Sequence, residues 1–129
     1  MGKPAAKQGD QVVGQDIHLV ILPKPGPPQP MPFPFTGMLV QGLSPNVKIE
    51  GRAAATVGSV AVNTPPHIFP AGSFSKPPAN QGKVQVGSGT VKINGKPAAR
   101  VGDPVMTCND PADLPNAKIV GGGTVSIGG

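Results

Sequence analysis

The chain has no tryptophan, no tyrosine and only four phenylalanines among its 129 residues. A core built on large aromatic side chains is therefore excluded, and so is the row of stacking rings on which single-stranded nucleic acid is held. One cysteine, Cys108, rules out an internal disulfide and leaves a buried thiol, a ligand or a reactive group. The longest apolar run, residues 19–22, is too short for a membrane span or for the apolar part of a secretory leader. Gly2 has no Ser or Thr at position 6, so N-myristoylation is not indicated. Such a chain fits synthesis in the cytoplasm without a signal peptide. Charge is also sparse: the net +5 is spread along the sequence without a basic stripe. No nucleic-acid partner is expected, and an acidic protein surface suits the modest positive charge better.

What the chain has in quantity is glycine, 19 residues, and proline, 18. Together they interrupt nearly every window long enough for a helix, and without a period they would indicate disorder. A period is present. Gly95-Lys96-Pro97-Ala98-Ala99-Arg100-Val101-Gly102-Asp103 is matched by Gly2-Lys3-Pro4-Ala5-Ala6-Lys7-Gln8-Gly9-Asp10, and by a worn copy, Gly51-Arg52-Ala53-Ala54-Ala55-Thr56-Val57-Gly58-Ser59. The approach to the later copies also repeats, as Val47-Lys48-Ile49-Glu50 and Val91-Lys92-Ile93-Asn94, and Val125-Ser126-Ile127-Gly128-Gly129 leads to the threshold of another. Repeats of this size cannot each bury an apolar face alone and stack on one another. The approach segments alternate β-branched and polar residues, the period of a half-buried strand. Turns at 43–46, 87–90 and 121–124 separate them from apolar segments at 38–40, 84–86 and 119–120, a hairpin pattern. The expected fold is all-β: one domain over 1–129, a pseudo-threefold β-pyramid or cone of short hairpins with Pro/Gly-rich connections and no substantial helix. The Ala-Ala segments suit close backbone approach where the three units converge.

All three connections carry proline. The run at 22–34 is expected to favour polyproline II, as a stiff connector or as a ligand for an aromatic groove. Residues 63–80 form a second proline-bearing connection, and 104–117 form the third.

The histidines and the cysteine are distributed by the repeat. His18 follows Gly2 by sixteen residues, His67 follows Gly51 by sixteen, and Cys108 follows Gly95 by thirteen. Threefold stacking would bring one donor from each connection to the axis, and imidazole and thiolate are the donors that zinc prefers. Taken singly, His18 also reads as a solvent-facing strand residue, His67 as a loop histidine and Cys108 as a small buried hydrophobe. No Ser-His-Asp or Cys-His arrangement has supporting spacing and no phosphate loop is present, so no catalytic residue is expected. Asp10 and Asp103 are assigned turn or cap roles.

The stretch Gly-Lys-Pro-Ala-Ala-Arg-Val-Gly-Asp at 95–103 resembles the signature of PAAR-repeat proteins, the sharp tips of type VI secretion and related contractile injection systems. Copy one departs by Lys7 in place of Arg, copy two at Ala53 and Ser59. The resemblance implies a structural protein, one copy seated on a trimeric spike (a valine-glycine repeat protein or a phage spike homologue). It would sharpen the spike for membrane puncture, touch the target membrane transiently, give effector proteins a point of attachment, and leave with the injected machine. It also implies a structural zinc near the apex, held in the family by three His and one Cys. Here a third His is missing, so a fourth donor would be water, a backbone group or a carboxylate such as Asp16 or Asp110. The motif segments and the approaching strands, 47–57 and 91–101, would line the base, with His18, His67 and Cys108 toward the apex. No effector extension is expected after 127–129, which makes this a bare tip. Two other classes remain as readings: a proline-rich scaffold that docks a recognition domain through 23–34, and a small zinc hydrolase with an open coordination position.

Overall fold

The computed structural model describes residues 2–110 and 112–128. Thirteen strands and no helix make up these residues. In chain order they are β1 (Lys3–Pro4), β2 (Gln11–Ile21), β3 (Gln29–Gln41), β4 (Lys48–Ile49), β5 (Arg52–Ala53), β6 (Val60–Asn63), β7 (Ser73–Phe74), β8 (Gln81–Val84), β9 (Lys92–Ile93), β10 (Lys96–Pro97), β11 (Pro104–Thr107), β12 (Leu114–Val120) and β13 (Ser126–Ile127).

Each motif copy is followed by one antiparallel pair of wall strands: β2 with β3, β6 with β8, and β11 with β12. Contacts of β3 with β6, β8 with β11 and β12 with β2 join the pairs into a closed six-stranded wall, to which β7 adds at the far end of β2. Closure leaves no open edge around the ring where the strands overlap. Inward residues of all three units, among them Val12, Leu39, Ala61, Val84, Val105 and Ile119, form the main core.

The motif copies meet at the axis. Ala6, Ala55 and Ala99 are each 0 % exposed. Their backbones close a ring of hydrogen bonds: Ala6 N–H donates to Ala99 O, Ala99 N–H to Ala55 O and Ala55 N–H to Ala6 O, all at 3.0 Å. A larger side chain would force the three backbones apart, which is why alanine recurs there. The next residue in each copy sets the turn into the wall. Lys7 N–H donates to Asp10 Oδ2 (3.0 Å), Thr56 N–H to Ser59 Oγ (2.9 Å) and Arg100 N–H to Asp103 Oδ2 (2.8 Å). Two of these turns also bury an ion pair, Lys7–Asp10 at 3.3 Å and Arg100–Asp103 at 2.9 Å. The aspartates thus hold the turns that their position after glycine implies, and in addition neutralise the buried cations.

Below the alanine ring lie three two-residue ladders: β4 with β5, β9 with β10, and β1 with β13. They enclose a second apolar cluster of Ala5, Ile49, Ala54, Ile93, Ala98 and Ile127. Two are closed by Glu50-Gly51 and Asn94-Gly95, with φ of 53° and 81° in both. That pair of left-handed residues is what a two-residue hairpin turn needs, and glycine supplies the second at no steric cost. The third ladder is built from the two ends of the chain, with Lys3 opposite Ile127 as Lys96 is opposite Ile93. The segment 125–128 therefore completes the first copy rather than opening another; Gly129 lies outside the described residues.

Two expectations need correction. The segments flanking the turns at 43–46, 87–90 and 121–124 do not pair with each other. The upstream ones belong to the wall, while β4, β9 and β13 pair across the motif glycines. Ser44 and Ser88 explain the break: their hydroxyls accept hydrogen bonds from Val47 N–H (2.9 Å) and Val91 N–H (3.0 Å), which turns the chain out of the wall. The second correction concerns the proline run. Residues 29–34 are not polyproline II but half of β3, paired with β2 from Gln15↔Pro34 to Val20↔Gln29. Pro30, Pro32 and Pro34 share the parity of Thr36, whose N–H points away from β2 to Asn63 Oδ1 (2.9 Å). Their missing N–H groups therefore fall on the side where no β2 bond is lost, the position in which a strand tolerates proline. The intervening Phe33 and Phe35 face inward and are buried.

Candidate metal centre

Beyond the main core, the inward face of β2 changes from apolar to polar. The alternation that buries Val12 also buries Asp16 and His18, before returning to Val20. His18 is thus an inward residue, 1 % exposed. His67 comes from the connection after β6, where its N–H donates to Asn80 Oδ1 (2.7 Å) and Asn63 Nδ2 donates to its Nδ1 (3.2 Å). Cys108 follows β11 and is fixed by its neighbours. Ile17 N–H donates to Asn109 Oδ1 (2.6 Å), Asp110 N–H to Ile17 O (2.8 Å), and Leu19 N–H to Asp110 Oδ2 (2.8 Å).

These attachments bring Asp16, His18, His67 and Cys108 together, all buried, with one ligand atom of each within 4.8 Å of the others. All three donors singled out by the repeat are in the cluster. Of the two carboxylates open as a fourth, Asp16 is in the cluster and Asp110 stands beside His18, with Oδ2 3.6 Å from Nδ1. Asp16 is the hub: its Oδ2 accepts from His67 Nε2 (2.7 Å) and lies 3.4 Å from Cys108 Sγ, while its Oδ1 accepts from the Thr107 hydroxyl. Asp16 was legible as an inward residue two positions before His18, the same parity on one strand. Thr107 carried no signal in the sequence.

His18 is the exception to this pairing. Neither of its ring nitrogens has a hydrogen-bond partner, although both are buried. Buried polar atoms without partners are rare and costly in native proteins. Three of the four phenylalanines, Phe33, Phe35 and Phe74, pack against the two histidines. His18 packs edge-on against Phe33 and Phe74, at centroid distances of 5.8 and 5.7 Å, and Phe69 packs against Phe33 at 6.3 Å. Burial depresses the His18 pKa, with the Asp110 carboxylate opposing the shift. Burial, reinforced by the Asp16 charge, pushes the Cys108 thiol up to about 11.

The donor set fits a metal ion. Two nitrogens, a sulfur and a carboxylate oxygen are ligands that zinc accepts; bonds of about 2.0–2.3 Å would set tetrahedral donors roughly 3.3–3.8 Å apart, so the Asp16–His67 pair would open from 2.7 Å and the wider pairs would close. An ion there would give a lone pair of His18 the partner it lacks, and its charge would favour the Cys108 thiolate that burial resists.

A closed threefold β-wall, knotted at an alanine ring and carrying a buried Asp/His/His/Cys cluster at one end, defines a small repeat protein able to hold one metal ion. Residues 74–129 match the family model of the PAAR motif, a span that includes the third copy and its approach. The same motif stands twice more in the fold, at Gly2 and Gly51, and together with this match it supports a PAAR-repeat protein. None of the curated proteins matches it. No helix among the described residues is long and apolar enough to cross a membrane.

Proposed function

We propose that this chain is a spike tip of a contractile injection system: one copy caps a trimeric spike and sharpens it for membrane puncture, with effector proteins attached in passing. One observation carries the reading. The alanine ring gives three equivalent units at one end, whereas a single long hairpin, β2–β3, extends past the others at the opposite end. A threefold end fits a trimer, and a single projecting hairpin fits a point. Native mass spectrometry of the chain mixed with a trimeric β-helical spike tests it. One chain per trimer is expected; three chains, or none, would overturn the reading.

In the same proposal Asp16, His18, His67 and Cys108 hold one zinc ion, which joins three connections and stiffens the apex. The role is structural rather than catalytic, since four protein donors leave no open position and the surrounding rings keep substrate away. Ligation through His67 Nε2 moves the remaining ring proton to Nδ1, so the Asn63 amide must turn to present its oxygen. Elemental analysis should find about one zinc per chain, reduced or lost in Cys108→Ser. A folded wild-type chain free of metal after growth in zinc would sink this part and leave the tip reading to rest on the repeat.

A further inference from the structure

The basic residues that are scattered in sequence are gathered by the fold. Lys3, Arg52 and Lys96 occupy equivalent positions in the three small ladders, each opposite an isoleucine: Ile127, Ile49 and Ile93. Lys48 and Lys92 repeat at the neighbouring position, where the third ladder has Ser126. All five cations are exposed. The Arg52 guanidinium reaches the flank of the next unit, where a Cβ added at Gly9 would lie 3.1 Å from its Nη1. The sole carboxylate among these elements is Glu50, which accepts from Thr124 N–H at 3.1 Å. This end therefore holds a surplus of four positive charges out of the chain's net +5. Lys7 and Arg100, by contrast, are neutralised inside by Asp10 and Asp103.

We propose that this cation ring is the specificity element of the threefold end, and that its partner is a trimeric protein surface bearing at least one carboxylate per subunit around an apolar centre. The inference rests on the spike-tip reading and names the chemistry that reading requires of the spike. Two observations favour a protein over another polyanion. The cations are set on ladders that enclose an apolar cluster with the three isoleucines, and Val91 and Val125, leading into two of those ladders, remain 36 % and 41 % exposed; apolar surface with a polar rim is the anatomy of a protein interface. The small ladders also carry no aromatic residue on which a base could stack. Exposed ion pairs add little affinity individually, about 0.2–1 kcal/mol. Three to five arranged on one axis act chiefly on encounter rate and on the rejection of wrong partners, and salt screens them.

The test uses the intact chain and two trimeric β-helical spike ends that differ only in carrying one Asp or one Asn per subunit at the terminal turn. Lys3→Gln/Arg52→Gln/Lys96→Gln removes the ring. Lys24→Gln/Lys76→Gln/Lys83→Gln makes the same change in net charge at exposed sites outside the ladders. Unfolding curves confirm that both variants fold. The wild type and the second variant should bind the Asp trimer at least about tenfold more tightly than the ring variant does, mostly through a faster, salt-sensitive association. The Asn trimer should bind all three proteins alike. Equal binding of the Asp trimer by both variants would overturn the cation ring and leave the spike-tip reading intact. Failure of every form to bind either trimer would overturn both. Ring-dependent binding of duplex DNA or anionic vesicles without discrimination between the trimers would reassign the ring to a polyanion and overturn the proposal.

Discussion

The two ends of this molecule are built on opposite plans. At the ladder end, three copies do the same thing: equivalent backbone bonds around the alanine ring, equivalent isoleucines beneath it, and equivalent turns into the wall. At the metal end the copies diverge. β2 and β3 run for 11 and 13 residues, whereas β6 and β8 have four each, and the donors come from a strand, a loop and a strand end. Symmetry allows small residues to pack closely with few large side chains. Asymmetry allows four different donors to face one point, which three identical units could not do. The chain thus combines a repeat that assembles with a departure from the repeat that could hold a metal ion.

The sharpest way to break the symmetric end is at its charges. Arg100→Thr leaves Asp103, 1 % exposed, without its cation, and should cost about 3–5 kcal/mol as for other broken buried pairs. Copy two shows the remedy, since Thr56 and Ser59 hold the same turn without charge. Arg100→Thr/Asp103→Ser should therefore recover most of the loss. Denaturant unfolding of both variants checks this; a double variant as unstable as the single one would show that the pair does more than hold the turn.

At the other end the corresponding break is removal of metal. If zinc stands at a thousand times its dissociation constant, chelation withdraws about 4 kcal/mol of stability. The loss should be local as well as global. Amide exchange should accelerate in β7, in residues 16–20 and in 108–110, while the ladders keep their order of protection. Refilling should release close to one proton per ion near neutral pH, because Cys108, held up to about 11, enters as a thiol and binds as a thiolate. Calorimetry in buffers of different ionisation enthalpy reads that number.

The same contrast explains how much could be read in advance. The ladder end was legible because repetition is a sequence property: Ala5-Ala6, Ala54-Ala55 and Ala98-Ala99 announce one environment three times. Even there the pairing was misassigned, since Ser44 and Ser88 look like ordinary turn residues between two strands of one hairpin. The cation ring was missed for the opposite reason, because Lys3, Arg52 and Lys96 are neighbours only after the units close. At the metal end His18, His67 and Cys108 were legible through scarcity, one per copy. Asp16 needed the strand parity of β2, and Thr107 needed coordinates.

A pH scan of the metal-free chain separates the ends again. Burial lowers the His18 pKa below its ordinary value of 6.5, so between 6.5 and the depressed folded value the unfolded chain takes up a proton that the folded chain resists. The resulting stability is present above pH 6.5 and is lost as pH falls. His18→Asn should flatten that part of the profile, and a profile unchanged by the substitution would show that His18 does not titrate against folding.

The smallest effect tests the worn copy itself. Ala53 stands where the other copies have Pro4 and Pro97. In each ladder this residue lies one step beyond the pair that closes the turn: Lys48 faces Ala53 as Lys92 faces Pro97. Since proline at the equivalent position loses no ladder bond, the Ala53 N–H is dispensable to the ladder. Its carbonyl, which accepts from Gln8 N–H at 2.8 Å, corresponds to that of Pro97, which accepts from Val57 N–H at 2.9 Å. Ala53→Pro should therefore stabilise the chain by roughly 0.4–1 kcal/mol, chiefly by restricting the unfolded state. A gain of that size in denaturant unfolding, with unchanged metal content, would mean that copy two still adopts the backbone of its neighbours despite its altered side chains. A loss would place the divergence of the copies in the backbone of the ladder end as well, and the division between a symmetric and an asymmetric half would be less complete than the hydrogen bonds indicate.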